Sequence, residues 1–214
     1  MIKDTLDRIA REKLVAVIRT ESPEQAFRAA KAVIAGGIGI VEMAITIPDA
    51  QDVTRELAKE EGILVGVGSV LTVREAEEAI RLGVDYISSP VWNQDLVPVC
   101  RQGEVACILS GSTPSEIYTC MRAGAGIVKV YPVDAMGGPA YIEQILKTLP
   151  FFKIMVAGVG SYETFKEYLS LGVEAVSLGE LLIPQKVLLS EDYGFVTREA
   201  SRFISLMSER HQAA

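Results

Sequence analysis

The chain has 214 residues, 49% of them hydrophobic and 23% charged, with 21 basic against 28 acidic side chains and a formal net charge of −7. So much apolar content builds a substantial core and excludes a disordered or collagen-like polymer, while the acidic balance, with no basic run, argues against nucleic acid or an anionic membrane as partner. The single histidine, His211, excludes a Ser-His-Asp triad, a papain-like Cys-His pair and a histidine-rich metal centre.

Residues 1–13 are charged throughout, carry no secretory apolar stretch and predict a helix over 2–12. No later run approaches the roughly 20 apolar residues of a bilayer span, so a soluble, cytoplasmic protein is expected. Short apolar runs follow at 14–19, 40–45, 64–69, 86–90, 106–111, 127–132, 153–158 and 175–180. Glycines stand just ahead of most of them, at Gly36-Gly37, Gly62, Gly83, Gly103, Gly124 and Gly172, with Pro150 in the one long gap. Glycine there suits a left-handed helix cap before the next strand. Helix starts lie between the runs: Ser22-Pro23-Glu24-Gln25, Thr72-Val73-Arg74-Glu75 and Thr113-Pro114-Ser115-Glu116 each read as an N-cap with Glu or Gln at N3. Residues 184–193 read as a longer connection before a last helix. Cys100, Cys107 and Cys120 sit in apolar patterns without CxxC spacing and are expected as buried free thiols.

Nearly continuous apolar strands alternating with helices indicate a parallel sheet covered on its outer face. Eight such units predict an α/β fold, a (β/α)8 TIM barrel with an extra N-terminal helix, as a single domain over 1–214. Catalytic groups of such a barrel project from the C-terminal ends of its strands. The polar residues there are Arg19, Glu42, Thr46, Ser69, Ser88, Ser89, Ser110, Thr113, Lys129, Tyr131, Ser161, Ser177 and Glu180.

Two of these lie within strands. Lys129, in Ile127-Val128-Lys129-Val130-Tyr131-Pro132, and Glu42, in Ile40-Val41-Glu42-Met43-Ala44-Ile45, occupy places that should be apolar. An unpaired buried charge costs several kcal/mol, so the two either form a structural ion pair or carry chemistry. Burial pushes a lysine toward its free-amine form, which attacks ketones and aldehydes to give a Schiff base. A neighbouring carboxylate then serves as proton shuttle.

These residues belong to a wider pattern: Val17-Ile18-Arg19, Ala35-Gly36-Gly37 followed by Val41-Glu42, Thr46-Ile47-Pro48-Asp49-Ala50, Gly66-Val67-Gly68-Ser69-Val70-Leu71, Ser89-Pro90, and Val128-Lys129-Val130-Tyr131-Pro132 with Gly137-Gly138. In this order the chain resembles the class I aldolases that cleave 2-keto-3-deoxy-6-phosphogluconate (KDPG) and 4-hydroxy-2-oxoglutarate (KHG) to pyruvate and an aldehyde. The resemblance implies that Lys129 is the Schiff-base lysine and Glu42 the proton shuttle, in a homotrimer that needs no metal and no cofactor. It implies Arg19 and Ser69 as ligands of the pyruvyl carboxylate, Thr46 where many relatives carry arginine, and Pro90 and Tyr131 as pocket walls. The family's phosphate segments match Ala157-Gly158-Val159 and Gly179-Glu180 here. Gly158-Val159-Gly160-Ser161 still offers backbone N–H groups at a helix start, whereas the expected threonine, second glycine and serine are replaced. A like-charge contact at about 4 Å and an effective dielectric near 20 is on the order of 4 kcal/mol, nearly three decades in affinity, so Glu180 is expected to oppose a phosphorylated substrate.

The expected function is a lyase acting on a small 2-oxo acid. An oxaloacetate decarboxylase using the same imine is the nearest alternative. A non-catalytic metabolite-binding barrel is another, disfavoured because an idle buried pair is costly to keep.

Overall fold

In the computed structural model, which describes residues 1–211, each of the eight apolar runs contains a parallel strand. Residues 212–214, the end of the span expected as one domain, lie outside the described residues. The strands are β1 (Leu14–Ile18), β2 (Ile40–Ala44), β3 (Leu64–Gly68), β4 (Tyr86–Ser88), β5 (Ala106–Ser110), β6 (Ile127–Val130), β7 (Ile154–Ala157) and β8 (Ala175–Leu178). They pair in sequence order, and β8 returns to β1 to close the barrel. Each strand stops one or two residues before its apolar run does. Arg19, Ser69 and Tyr131 therefore stand just past the ladder, at the rim.

α1 (Ile2–Glu12) precedes the barrel, and the helices that follow its strands are α2 (Pro23–Ala35), α3 (Gln51–Leu57), α4 (Val73–Ile80), α5 (Leu96–Gln102), α6 (Pro114–Ala123), α7 (Gly138–Thr148), α8 (Tyr162–Ser170), α9 (Gln185–Ser190) and α10 (Tyr193–His211). Thr72 and Thr113 form full capping boxes with Glu75 and Glu116. Ser22 caps α2 by accepting from the Gln25 N–H at 3.2 Å, and the Gln25 side chain takes the Glu21 N–H instead of completing a box. The connection expected over 184–193 contains α9, which buries Val187 and Leu188 and begins at Pro184. Gly103 also differs from expectation. Its φ is −80° and the left-handed residue is Glu104, at 56°. A Cβ on Gly103 would come within 2.9 Å of Ile80, so glycine serves close packing there.

The strands alternate between two cores. Outward residues such as Leu14, Ala16, Val41, Val65, Ile87, Val128 and Val156 pack under the helices. Inward Val15, Ile40, Leu64, Ile108, Ile127 and Met155 fill the lower lumen together with Ile9 of α1. A Cβ on Gly126 would clash with Leu6 of the same helix, so α1 is seated tightly beneath the barrel. Arg8 ties it down, donating to the Gly62 carbonyl at 2.6 Å. The N-terminal end is plugged, and polar inward residues are confined to the C-terminal half. The three cysteines are buried and free, as expected.

Candidate active site

The C-terminal half of the lumen opens as a cavity of about 1130 Å³. Its floor takes inward residues from around the barrel: Val17, Glu42, Ser88, Ser110, Lys129, Ala157 and Ser177 all line it. β2 and β6 stand four strands apart in a closed ring of eight, so Glu42 and Lys129 face each other across the lumen. The Lys129 ammonium donates to both Glu42 oxygens, Nζ to Oε1 at 2.9 Å and to Oε2 at 2.8 Å, and both side chains are buried. The bidentate contact offsets the desolvation that either charge would suffer alone.

Two glycines of β3 make this arrangement possible. A Cβ on Gly68 would lie 2.7 Å from Glu42 Cδ and 2.8 Å from its Cγ, so the carboxylate arm lies directly over that glycine. A Cβ on Gly66 would clash with Cζ and both Cε atoms of the Tyr86 ring. A side chain at either glycine would therefore displace the ring or the carboxylate.

At the rim, Arg19 donates from Nη2 to Ser69 Oγ at 3.1 Å. Ser69 holds a left-handed backbone, φ 65°, of the kind that concentrates at functional positions. A guanidinium fork and a hydroxyl stand together above Lys129 and suit a carboxylate. Pro90, Tyr131, Gly158 and Glu180 also line the cavity, and Tyr131 and Glu180 are exposed.

Thr46 is the exception among the expected ligands. β2 ends at Ala44 and the chain turns at once, leaving Thr46 exposed and outside the lining. The segment after β7 is also partly occupied. The Gly160 N–H donates to Asp134 Oδ2 at 2.8 Å, and Tyr168 donates to Oδ1 of the same carboxylate at 2.6 Å. Burial and then the hydrogen bond to Asp134 push the Tyr168 phenol well above its ordinary value, so it stays a donor.

Glu21, Gln25, Gln185, Lys186 and Leu189 line the outer cavity as well, and nothing in the sequence pattern marks them as site residues. They come from the α2 approach and from α9, the element that sequence patterning did not reveal. In the sequence pattern Tyr86 is only the start of a strand. Its signal was parity: two residues before inward Ser88, it had to face the lumen. Among the described residues no group of three or more histidine, cysteine, aspartate or glutamate side chains converges to hold a metal ion, and no helix is long and apolar enough to cross a membrane.

The same arrangement of strands recurs in solved structures. The chain superposes on a native KDPGal structure with a TM-score of 0.84 at 23% identity, covering 93% of this chain and 96% of that one. It matches equally well, with a TM-score of 0.84 at 23% identity over 93% and 97% of the two chains, the KDPG aldolase of Legionella pneumophila with pyruvate captured as a covalent carbinolamine intermediate. Among relatives by sequence, the KHG/KDPG aldolase of Escherichia coli K12 is 29% identical over 188 residues, 87% of this chain and 88% of the relative. The 2-dehydro-3-deoxy-phosphogluconate aldolase of Dickeya dadantii is 29% identical over 195 residues, 90% and 91% of the two chains. Because the family model for KDPG and KHG aldolase matches residues 6–199, from within α1 to within α10, the chain belongs to the KDPG and KHG aldolase family.

Proposed function

We propose that the protein is a Schiff-base lyase that cleaves a 4-hydroxy-2-oxo acid, of the 4-hydroxy-2-oxoglutarate or KDPG type, to pyruvate and an aldehyde. The observation that carries this is the Lys129 amine held by both oxygens of Glu42 on the floor of a cavity open at the C-terminal face. Glu42 is within reach to take a proton from the ammonium, and the freed amine adds to the substrate C2. The carbonyl oxygen takes one proton from the adding nitrogen and one returned by Glu42 and leaves as water, so that an iminium forms and Glu42 is a carboxylate again. Glu42 then takes the proton of the C4 hydroxyl. The C3–C4 electron pair moves into the iminium, giving the aldehyde and a lysine-bound enamine. Glu42 passes the proton it took from the C4 hydroxyl to C3 of the enamine, and water hydrolyses the resulting iminium to release pyruvate and Lys129. The iminium is the electron sink, so these steps call for no metal or cofactor. Arg19 and Ser69 would hold the C1 carboxylate, with Pro90 and Tyr131 walling the pyruvyl end.

For the distal end, an unphosphorylated tail fits better than a phosphate. Gly160 already gives its N–H to Asp134, and Glu180 adds a carboxylate to the same wall. The assembly read with this function is a homotrimer. Exposed Leu71, Val91 and Trp92, gathered where Asn93 Nδ2 donates to the Leu71 carbonyl at 2.9 Å, supply an apolar contact for it. Light scattering should return three times the chain mass, and Trp92→Glu should lower it. For the chemistry, borohydride with pyruvate should leave a reduced adduct on Lys129 by peptide mass spectrometry. An enzyme that releases pyruvate but carries the adduct elsewhere, or none, removes the mechanism.

A further inference from the structure

Three buried side-chain polar atoms have no hydrogen-bond partner among the described residues, and one of them is the Tyr86 hydroxyl, fully buried inside the barrel. Its ring crosses Gly66 of β3, and Gly66 is the register partner of Glu42 on β2. Neighbouring strands are about 4.8 Å apart, so a phenol lying over Gly66 brings its hydroxyl to the Glu42 side of the lumen. Native structures seldom leave a buried hydroxyl unpaired, and an orphan beside a reactive group calls for a functional reason. In the resting enzyme both Glu42 oxygens accept from Lys129.

We propose that Tyr86 is a positioning residue that donates its O–H to Glu42 once Lys129 has been consumed in the imine. The role rests on the Schiff-base chemistry proposed above. An iminium nitrogen has fewer hydrogens to give than an ammonium, so Glu42 loses a donor as the covalent intermediate forms. Tyr86 is the next donor on that side, and it carries no charge that would compete with Lys129 at rest. Burial first, and the Glu42 charge second, hold the phenol well above its ordinary value, so it remains a donor throughout the working range. The charged groups that share the cavity with Glu42 are Lys129 from β6 beside it and, towards the rim, Arg19 and Glu21 after β1 and Glu180 and Lys186 after β8. Asp85, beside Tyr86, is engaged with the Val65 N–H at 2.8 Å and faces Arg8.

The test is Tyr86→Phe, which keeps the ring and removes only the oxygen. A hydrogen bond to a charged group is worth on the order of one pH unit or tenfold in rate. The acidic limb of kcat, which reports the covalent complex, should move up by about one pH unit, with kcat down about tenfold. The acidic limb of kcat/KM, which reports the free enzyme, should stay in place, because there Lys129 holds Glu42. The melting temperature should stay level or rise, since the hydroxyl has no partner at rest. A kcat profile that superposes on wild type, or a melting temperature that drops, overturns the role. Borohydride trapping with pyruvate in both proteins separates the two failures. No Lys129 adduct in wild type removes the lyase chemistry and this role with it, whereas adducts in both with unchanged profiles remove the role of Tyr86 alone.

Discussion

Gly68→Ala tests the site through a single methyl group. Gly68 ends β3 with a backbone outside the left-handed region, so alanine meets no conformational penalty there. The methyl does meet Glu42, lying 2.7 Å from Cδ and 2.8 Å from Cγ, and closer still to Oε1, where ordinary contact begins at 3.4 Å. The carboxylate must retreat by roughly 0.6 Å or more, and its 2.8 and 2.9 Å contacts with Lys129 cannot both survive that shift. Overpacking of this kind costs about 1–3 kcal/mol. Misplacing a catalytic group by about 1 Å costs about 100-fold in rate. The expected result is a fall in kcat of about 100-fold by pyruvate release, with KM little changed because Arg19 and Ser69 are untouched. Borohydride trapping on Lys129 should persist, since the nucleophile remains. Glu42→Asp withdraws the carboxylate by one methylene, so combining it with Gly68→Ala should relieve the clash. The double variant should then be more stable than the sum of the single effects. Gly68→Ala with activity within threefold of wild type would refute Glu42 as the proton carrier in the position described.

The other expectations concern the buried pair, the cavity wall and the helix caps. Lys129→Met leaves Glu42 as an uncompensated buried charge and should cost about 3–5 kcal/mol in urea unfolding, while Lys129→Met with Glu42→Leu should recover most of that loss. Both proteins should be inactive, and equal stability of single and double variants would contradict the pairing. Glu180→Ser should raise kcat/KM for KDPG relative to 4-hydroxy-2-oxoglutarate by about tenfold, since the exposed carboxylate is screened by water and falls short of its full Coulomb value. No change in that ratio, or a wild-type preference for KDPG, would clear Glu180 of any part in selection. Glu75 and Glu116 are held below the ordinary glutamate value, first by backbone N–H groups of Leu71 and Thr113 respectively. Their contribution is therefore present above the unfolded value of 4.5 and lost as pH falls through the lower folded one. Glu75→Gln with Glu116→Gln should flatten the decline of melting temperature below about pH 4.5, and an unchanged slope would count against the caps.

What could be read from sequence follows from how parallel barrels are buried. A strand covered on both faces must be apolar along its whole length, so eight strands stood out as runs and Lys129 and Glu42 stood out as interruptions. That the two meet was legible only through topology, because β2 and β6 are opposite strands solely if the eighth strand returns to the first. Where local geometry decides, sequence pattern failed. Thr46 has the parity of Glu42 and should face inward, but β2 stops at Ala44 and the turn carries it out of the cavity. α9 has six residues, too few for a helical period to show, and is held by the burial of Val187 and Leu188. Tyr86 failed for a different reason. As a residue type it is indistinguishable from a core aromatic, and its hydroxyl acquires a neighbour only through two absences, the missing side chains of Gly66 and Gly68. The first admits the ring and the second admits the carboxylate. In this barrel the glycines of β3 do not merely permit a turn or a cap. They leave room in the lumen for an acid, an amine and a phenol where two side chains would otherwise stand.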